Sequence, residues 1–266
     1  MTGRPSEHGL ALVVVLWGVA ALALIASAML AASMSTARID HNAWAQVKAR
    51  TAADAGVQST ILSLFNPGPD GRPSLDGKEQ KVTFEGAAIT VAIQDQTGLI
   101  DLNYAGRNEL RDYFKAMGAA DADALADHVV DWRSPKGTTS LNGTTSNDYD
   151  GYKPRNAPFQ SVDELSLVMG MTPELFARAA PGLTVYSQSA DFDTRTAPKE
   201  VLALIPGMNE TRAGQTVALR TPATARPGHA YGIVATAEQH HMRITRRAVV
   251  ELTADPARPY WILDWR

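Results

Sequence analysis

The stretch "LALVVVLWGVAALALIASAMLAA" (Leu10–Ala32), followed closely by "STARIDHNAWAQVKARTAADAGVQSTILSLF" (Ser35–Phe65), decides the fold. No residue from Leu10 to Ala37 is charged. Leu10 to Ala32 alone makes about 34 Å of helix, enough to cross the hydrocarbon core of a bilayer. The helical pattern continues beyond that run. From Ser35 no proline occurs until "NPGPDG" (Asn66–Gly71). Ile39, Ala43, Trp44, Val47, Ala55, Gln58, Ile61, Leu62 and Phe65 recur near i, i+3, i+4 spacing, which predicts that this set forms the packed face. The expectation is one helix of roughly 55 residues and about 80 Å, apolar in its first half and amphipathic in its second. The proline–glycine run stops it.

Arg4 and the N-terminal amine are the fixed positive charges ahead of the apolar run, an arrangement that holds this end in the cytoplasm and exports the rest. Two other readings of the run stay open on these residues. A secretory signal would use the small residues of "ASAM" and "AAS" as its cleavage site. An ordinary membrane anchor would hold a periplasmic enzyme or ligand-binding protein. The unbroken passage into the amphipathic half speaks against a cleaved signal.

The 266 residues carry a formal net charge of -3 and no cysteine. Disulfides, thiolate metal sites and cysteine nucleophiles are therefore excluded, and nothing in the charge favours a nucleic acid. After the long helix, "KVTFEG" (81–86) and "AAITVAIQD" (87–95) read as two strands with Gly86 at the turn. Near the end, "YGIVATAEQ" (231–239), "MRITRRAVVEL" (242–252) and "YWILDWR" (260–266) read as three more, separated by turn-forming residues. A small antiparallel sheet packed on the amphipathic half of the helix follows.

Between these strand groups, from about Asn103 to Arg226, short helical signals dominate. Each has a cap-type start and a glycine or proline end. "DLNYAGRNEL" (101–110) echoes "DTRTAPKEVL" (193–202), with Asp101/Asp193, Ala105/Ala197 and Leu110/Leu202 in register and Gly118 and Gly207 following. The echo points to duplicated units of the helix-hairpin-helix kind. Ser161 to Glu164 reads as a capping box, and Phe159, flanked by prolines, as an anchor in the insertion's own core.

The leader ending in Gly9, the uncharged helix after it and the amphipathic continuation resemble a type IV pilin or pseudopilin precursor. The resemblance implies cleavage after Gly9 by a prepilin peptidase and methylation of the new amine at Leu10. Two positions depart from the family pattern. Leu10 stands where phenylalanine is usual, and Val14 stands where a glutamate is usual. A carboxylate in an apolar bundle needs an opposite charge from a neighbouring subunit. Val14 therefore suits a subunit with nothing above it.

The helical block set between two parts of one sheet narrows the resemblance. "DWRSP" (131–135), "PRNAPFQSVDELSLVMGMTPELFARAAPGLTVYS" (154–187), "TAPKEVLALIPG" (196–207) and "YWILDWR" resemble the K-class minor pseudopilins of type II secretion. The implied fold is α+β: a type IV pilin-like fold with a large inserted all-α domain. The implied divisions are leader 1–9, membrane and assembly half 10–34, pilin part 35–102, insertion 103–226 and pilin part 227–266. The implied function is a non-enzymatic subunit capping the tip of the secretion pseudopilus, held in the inner membrane with its globular part in the periplasm. The implied partners are the I- and J-class minor pseudopilins and the prepilin peptidase, with an exported substrate or the outer-membrane secretin as further candidates. Trp17 and the small residues around it are expected to pack against neighbouring helices.

No phosphate loop and no nucleophile-elbow motif is present. Adjacent His240 and His241 point to opposite sides of a strand, and His128 with Asp127 and Asp131 reads as a capped or ion-paired helix surface. "IPGMNE" (205–210) lacks the second glycine and the cations of a phosphate-binding hairpin, so no nucleic-acid partner is expected. The loop "DWRSPKGTTSLNGTTSNDYDGYKPRN" (131–156) is rich in oxygen donors. Asp131, Asn142, Asn147, Asp148 and Asp150 are the candidate ligands for a hard cation, and the K-class resemblance makes calcium the cation expected.

Overall fold

The computed structural model describes residues 8–66, 72–84, 86–135, 149, 154–220, 223–239 and 242–266; within the first helix it describes the side chains of 12–30 and 43–65. Helix α1 runs unbroken from His8 to Phe65. Five strands form one antiparallel sheet in the order β1-β2-β5-β6-β7, with β1 Asp76–Phe84, β2 Ala87–Asp95, β5 Ala230–Gln239, β6 Met242–Leu252 and β7 Tyr260–Trp265. All five fall where strands were expected, except that β1 begins at Asp76, five residues earlier than the 81–86 reading. β2 and β5 are neighbours in the sheet although residues 96–229 separate them, so the whole intervening block is one grown connection between adjacent antiparallel strands.

One face of the sheet packs on the second half of α1. Ile89, Val91 and Ile93 of β2, Tyr231, Ile233 and Ala235 of β5, and Ala248 and Val250 of β6 join Ala52, Ala53, Val57, Ile61 and Leu64 of α1 in one buried cluster. The packed face differs from the expected one. Trp44, Val47, Leu62 and Phe65 are exposed, Trp44 to 67% and Leu62 to 68%. The buried stripe is Ala45, Ala49, Ala52, Ala53, Gly56, Val57, Thr60, Ile61 and Leu64. Small side chains won because they let the helix axis approach the sheet closely. At Gly56 a Cβ would stand 2.9 Å from Ile89 Cγ2 and 3.2 Å from Ala235 Cβ. Thr60 is tolerated in this stripe because its hydroxyl donates to the Gly56 carbonyl (2.7 Å). Across the interface Arg246 of β6 pairs with Asp54 of α1 at 2.8 Å.

Residues between β2 and β5 build a second, separate core. It is formed by α2 (Arg107–Ala116), α3 (Ala122–Arg133), α4 (Pro173–Ala179), α5 (Lys199–Leu202) and α6 (Glu210–Ala218), with short 3₁₀ turns between them. The block is not purely helical. Ile100–Asp101 (β3) and Leu183–Thr184 (β4) pair as a two-stranded parallel ladder apart from the main sheet. Two-residue strands leave no periodicity to read, and this ladder ties the entry of the block to its middle.

The echo seen in the sequence has a structural counterpart. Asp101 Oδ1 accepts from Asn103 N–H (2.8 Å), and Asp193 Oδ1 from Arg195 N–H (2.9 Å). Asp101 C=O accepts from Ala105 N–H (2.8 Å), and Asp193 C=O from Ala197 N–H (2.9 Å). Ala105, Ala197, Leu110 and Leu202 are all fully buried. Gly118 and Gly207 both turn the chain at φ +83°, a conformation that disfavours side chains. Asp121 and Asn209 then cap the next helices through Ala124 N–H and Arg212 N–H.

Phe159 docks inside this core, as expected, stacked on Trp132 at 6.1 Å between ring centres. Its backbone is clamped by Asn103, which accepts from Phe159 N–H (2.7 Å) and donates to Phe159 C=O (3.0 Å). The capping box at Ser161 does not form. The Ser161 side chain makes no cap bond, and the Glu164 carboxylate accepts from Gln160 N–H (3.0 Å) and pairs with Arg155 (3.3 Å). The segment is a 3₁₀ helix, Val162–Leu167, whose tighter turn replaces the expected α geometry.

Polar bolts join the two cores. Asp193 N–H donates to Thr97 C=O (2.7 Å), Gln94 Nε2 to Thr196 C=O (2.9 Å) and Thr184 Oγ1 to Gln96 Oε1 (2.7 Å). Gly98 lies against this seam so tightly that a Cβ would stand 2.6 Å from the Thr196 backbone carbon. On the sheet face away from α1, Ser161–Asp163 and Pro181 look across a cleft of about 550 Å³ toward Ala92, Gln94 and Arg247. Arg266 at the C-terminus reaches over to Asp163 (2.6 Å).

Candidate assembly surface

The first half of α1 is the most exposed apolar surface of the described residues. Leu12–Leu30 is a helix segment long and apolar enough to cross a membrane, and none of it is buried. Val14 is 64% exposed and Trp17 73%, and Gly18 has no atom within 4 Å of where a Cβ would sit. Ser27 returns its hydroxyl to the Leu24 carbonyl (2.9 Å), so its polar group is satisfied within the helix. Between residues 12 and 30 there is no ionisable side chain. The surface therefore has one chemistry available: apolar packing against lipid or other apolar helices, with close approach at Gly18, Ala20 and Ala21.

A second set of exposed apolar residues follows further along α1. Trp44, Val47, Leu62 and Phe65 lie outside the buried alanine-rich stripe, and the Phe65 ring stands 6.2 Å from that of Tyr260 in β7. Trp44, Val47 and Phe84 line a shallow depression of about 290 Å³ between the helix and the edge of β1. Alternative apolar faces on one helix were the available signal, and the larger residues took the outer one.

The remaining candidate residues are distributed as follows. Gly9 and Leu10 fall in the first turn of α1. Asp131, at the C-terminal end of α3, is buried. Asn142, Asn147, Asp148 and Asp150 lie outside the described residues, as do His240 and His241. Among the described residues no group of three or more His, Asp or Glu side chains is placed to hold a metal. The expected surface cluster on α3 is instead an interior one. Asp127 and His128 are buried; Asp127 receives Arg107 Nε at 2.6 Å, and His128 Nδ1 donates to the Met169 carbonyl (2.8 Å). The neighbouring Asp127 carboxylate raises the Arg107 guanidinium further above its ordinary value. Arg133 is half-buried against the carbonyls of Leu102 and Ala105, and that desolvation lowers its guanidinium from the ordinary value. These groups tie the helices of the inserted block together.

Comparison with known proteins rests on the block and on the whole fold. The sequence profile of type II secretion system (T2SS), protein K, matches residues 97–188. Among curated proteins none matches the chain significantly. A chain in the crystal structure of the GspK-GspI-GspJ complex from enterotoxigenic Escherichia coli superposes with a TM-score of 0.54 at 12% identity, covering 88% of this chain and 98% of that one. The similarity to that chain is one of fold. The matched block begins at Thr97, the residue whose carbonyl bolts the insertion to the second echo unit, and ends one residue past Ser187, which hydrogen-bonds Asp101. The 97–188 block thus carries the profile of type II secretion system protein K, and the fold as a whole is similar to that of the chain in the GspK-GspI-GspJ complex.

Proposed function

We propose that this chain is a non-enzymatic subunit capping the tip of a type II secretion pseudopilus. One observation carries the reading: a fully exposed, charge-free helical half continues into a pilin-type core and ends under a bulky block inserted in the sheet. Before assembly, Leu10 to Met34 rests in the inner membrane with the globular part in the periplasm. On assembly the same surface leaves lipid for the equivalent helices of smaller pseudopilins of the I and J classes. Apolar helices gain little from mere burial in that exchange, so close packing at Gly18 and Ala21 and the exposed side chains of Trp44, Val47 and Leu62 supply the specificity. The inserted block blocks addition of a subunit above, and growth proceeds from below. A photo-crosslinking residue at Trp17 or Trp44 is expected to capture two smaller pilin-like proteins in cells. The same residue on β1 at Lys81 is expected to capture neither. Equal labelling from all three positions counts against the reading.

Calcium at the 131–150 loop is a further part of the proposal. The buried Asp131 carboxylate would supply one oxygen, and the cation would neutralise acidic side chains that otherwise repel across the loop. Millimolar Ca²⁺ is expected to raise the melting temperature by several degrees, and Asp131→Asn to remove most of that rise. A melting temperature indifferent to Ca²⁺ and chelator would exclude the site.

A further inference from the structure

Two crevices meet at Arg220, just past α6. The first, about 480 Å³, opens between α6 and the approach to β1; Arg72, Lys78, Arg195 and Arg220 line it, with Asp76 as its one carboxylate. The second, about 610 Å³, shares Arg195 and Arg220, adds Arg226 and has no acidic lining residue. In a chain of net charge -3, five cations around one place invert the local sign. Internal partners account for little of this. Asp193 neutralises Arg195 at 2.6 Å, and Asp76 accepts from Ser74. Arg72 spends one nitrogen on the Thr224 hydroxyl (2.6 Å), and no ion pair holds Arg72, Lys78, Arg220 or Arg226 among the described residues.

Arg220 is the informative group. Its Nη2 donates to the Thr194 carbonyl, while Nε and Nη1 are sealed from solvent without a hydrogen-bond partner among the described residues. Burial lowers this guanidinium from its ordinary value. Cationic donors kept dry and unpaired are costly, and a native fold that keeps them has a use for them. The exposed guanidinium groups of Arg72 and Arg226 beside it offer N–H donors suited to a carboxylate. The walls decide what carries that carboxylate. Leu202, Ile205 and Met208 on one side and Val217 with Leu75 on the other are apolar, which suits side chains flanking an acid and offers nothing to a bare phosphate.

We propose that the paired crevices around Arg220 bind a carboxylate-bearing segment of another polypeptide, with Arg220 as the central anchor and Arg72 and Arg226 beside it. The probe is a fluorescein-labelled hexapeptide alternating leucine and glutamate, titrated by anisotropy against the full chain in neutral detergent. Saturable binding is expected, weakening as salt is raised and falling about tenfold or more in Arg220→Gln. Arg72→Gln, an exposed change that the fold tolerates, is expected to weaken it severalfold and guards against misfolding of the first variant. The matching leucine–lysine peptide should not bind. Equal affinity in wild type and both variants would overturn the site. Binding of inorganic phosphate by calorimetry, without binding of the glutamate peptide, would overturn its assignment to a polypeptide. Neither outcome bears on the position of the chain in a filament.

Discussion

Gly9→Val should leave residues 1–9 attached and abolish secretion. On the cleavage after Gly9 that the pilin resemblance implies, the peptidase accepts a backbone without a Cβ at this position, and a branched side chain there would fill the space. An uncleaved leader keeps Arg4 and Glu7 ahead of the helix, so joining a bundle would drag charges toward an apolar interior. The wild-type chain extracted from membranes should have the mass of a chain beginning at N-methyl-Leu10. The variant should have the mass of the full 266 residues and support no detectable export. Normal export by an uncleaved variant would refute this part of the proposal.

Val14→Glu is expected to be the next most damaging change, although it restores the residue common among pilin-like subunits. Val14 is 64% exposed on an apolar helix face with no ionisable neighbour between residues 12 and 30. A carboxylate in that environment costs about 2.5–3.5 kcal/mol unless an opposite charge meets it. A subunit with nothing above it lacks a neighbouring subunit's amine for that charge, and its own Leu10 amine one turn away is the sole remaining candidate. Incorporation of the variant into the complex should fall by on the order of a hundredfold. Val14→Leu should assemble like wild type. A glutamate variant that assembles as well as wild type would mean that an opposite charge meets the carboxylate, and the expectation would fail.

Long-period features of the fold were legible in the sequence, and close-range ones were not. Helix α1 was readable because 58 residues pass without a breaker until Pro67, and the five strands because β-branched residues alternate between turn signals. The packed side of α1 was not readable. Its first half, Ala45 to Gly56, is alanine and glycine, small residues that a search for large apolar side chains passes over in favour of the outward Trp44 and Val47, yet only a residue as small as Gly56 lets Ile89 and Ala235 meet the helix there. The insertion was visible as a change of period, and its repeat as Asp–x₃–Ala spacing. Its β3–β4 ladder was hidden because two residues carry no pattern. The interior position of Asp127 and His128 was hidden for a related reason: their partners, Arg107 and Met169, sit 20 and 41 residues away.

Candidate sites followed the same division. The exposure of Val14 and Trp17 was legible because they fall in an uninterrupted apolar run with no polar partner to fold onto. The Arg220 crevices were not, since Arg72, Arg195, Arg220 and Arg226 come from separate loops and share no local motif. Gly98 illustrates a residue whose role only the structure explains. The sequence "DQTGLID" gives a turn, but the reason for glycine is the Thr196 backbone pressed against it from the second repeat unit.

Copy number tests the central claim most directly. Pseudopili sheared from cells expressing the full secretion system, analysed by quantitative mass spectrometry, should contain one copy of this chain per filament, with one each of two smaller minor pseudopilins, whatever the filament length. A copy number that grows in proportion to length would place the chain along the shaft and contradict its assignment to the tip.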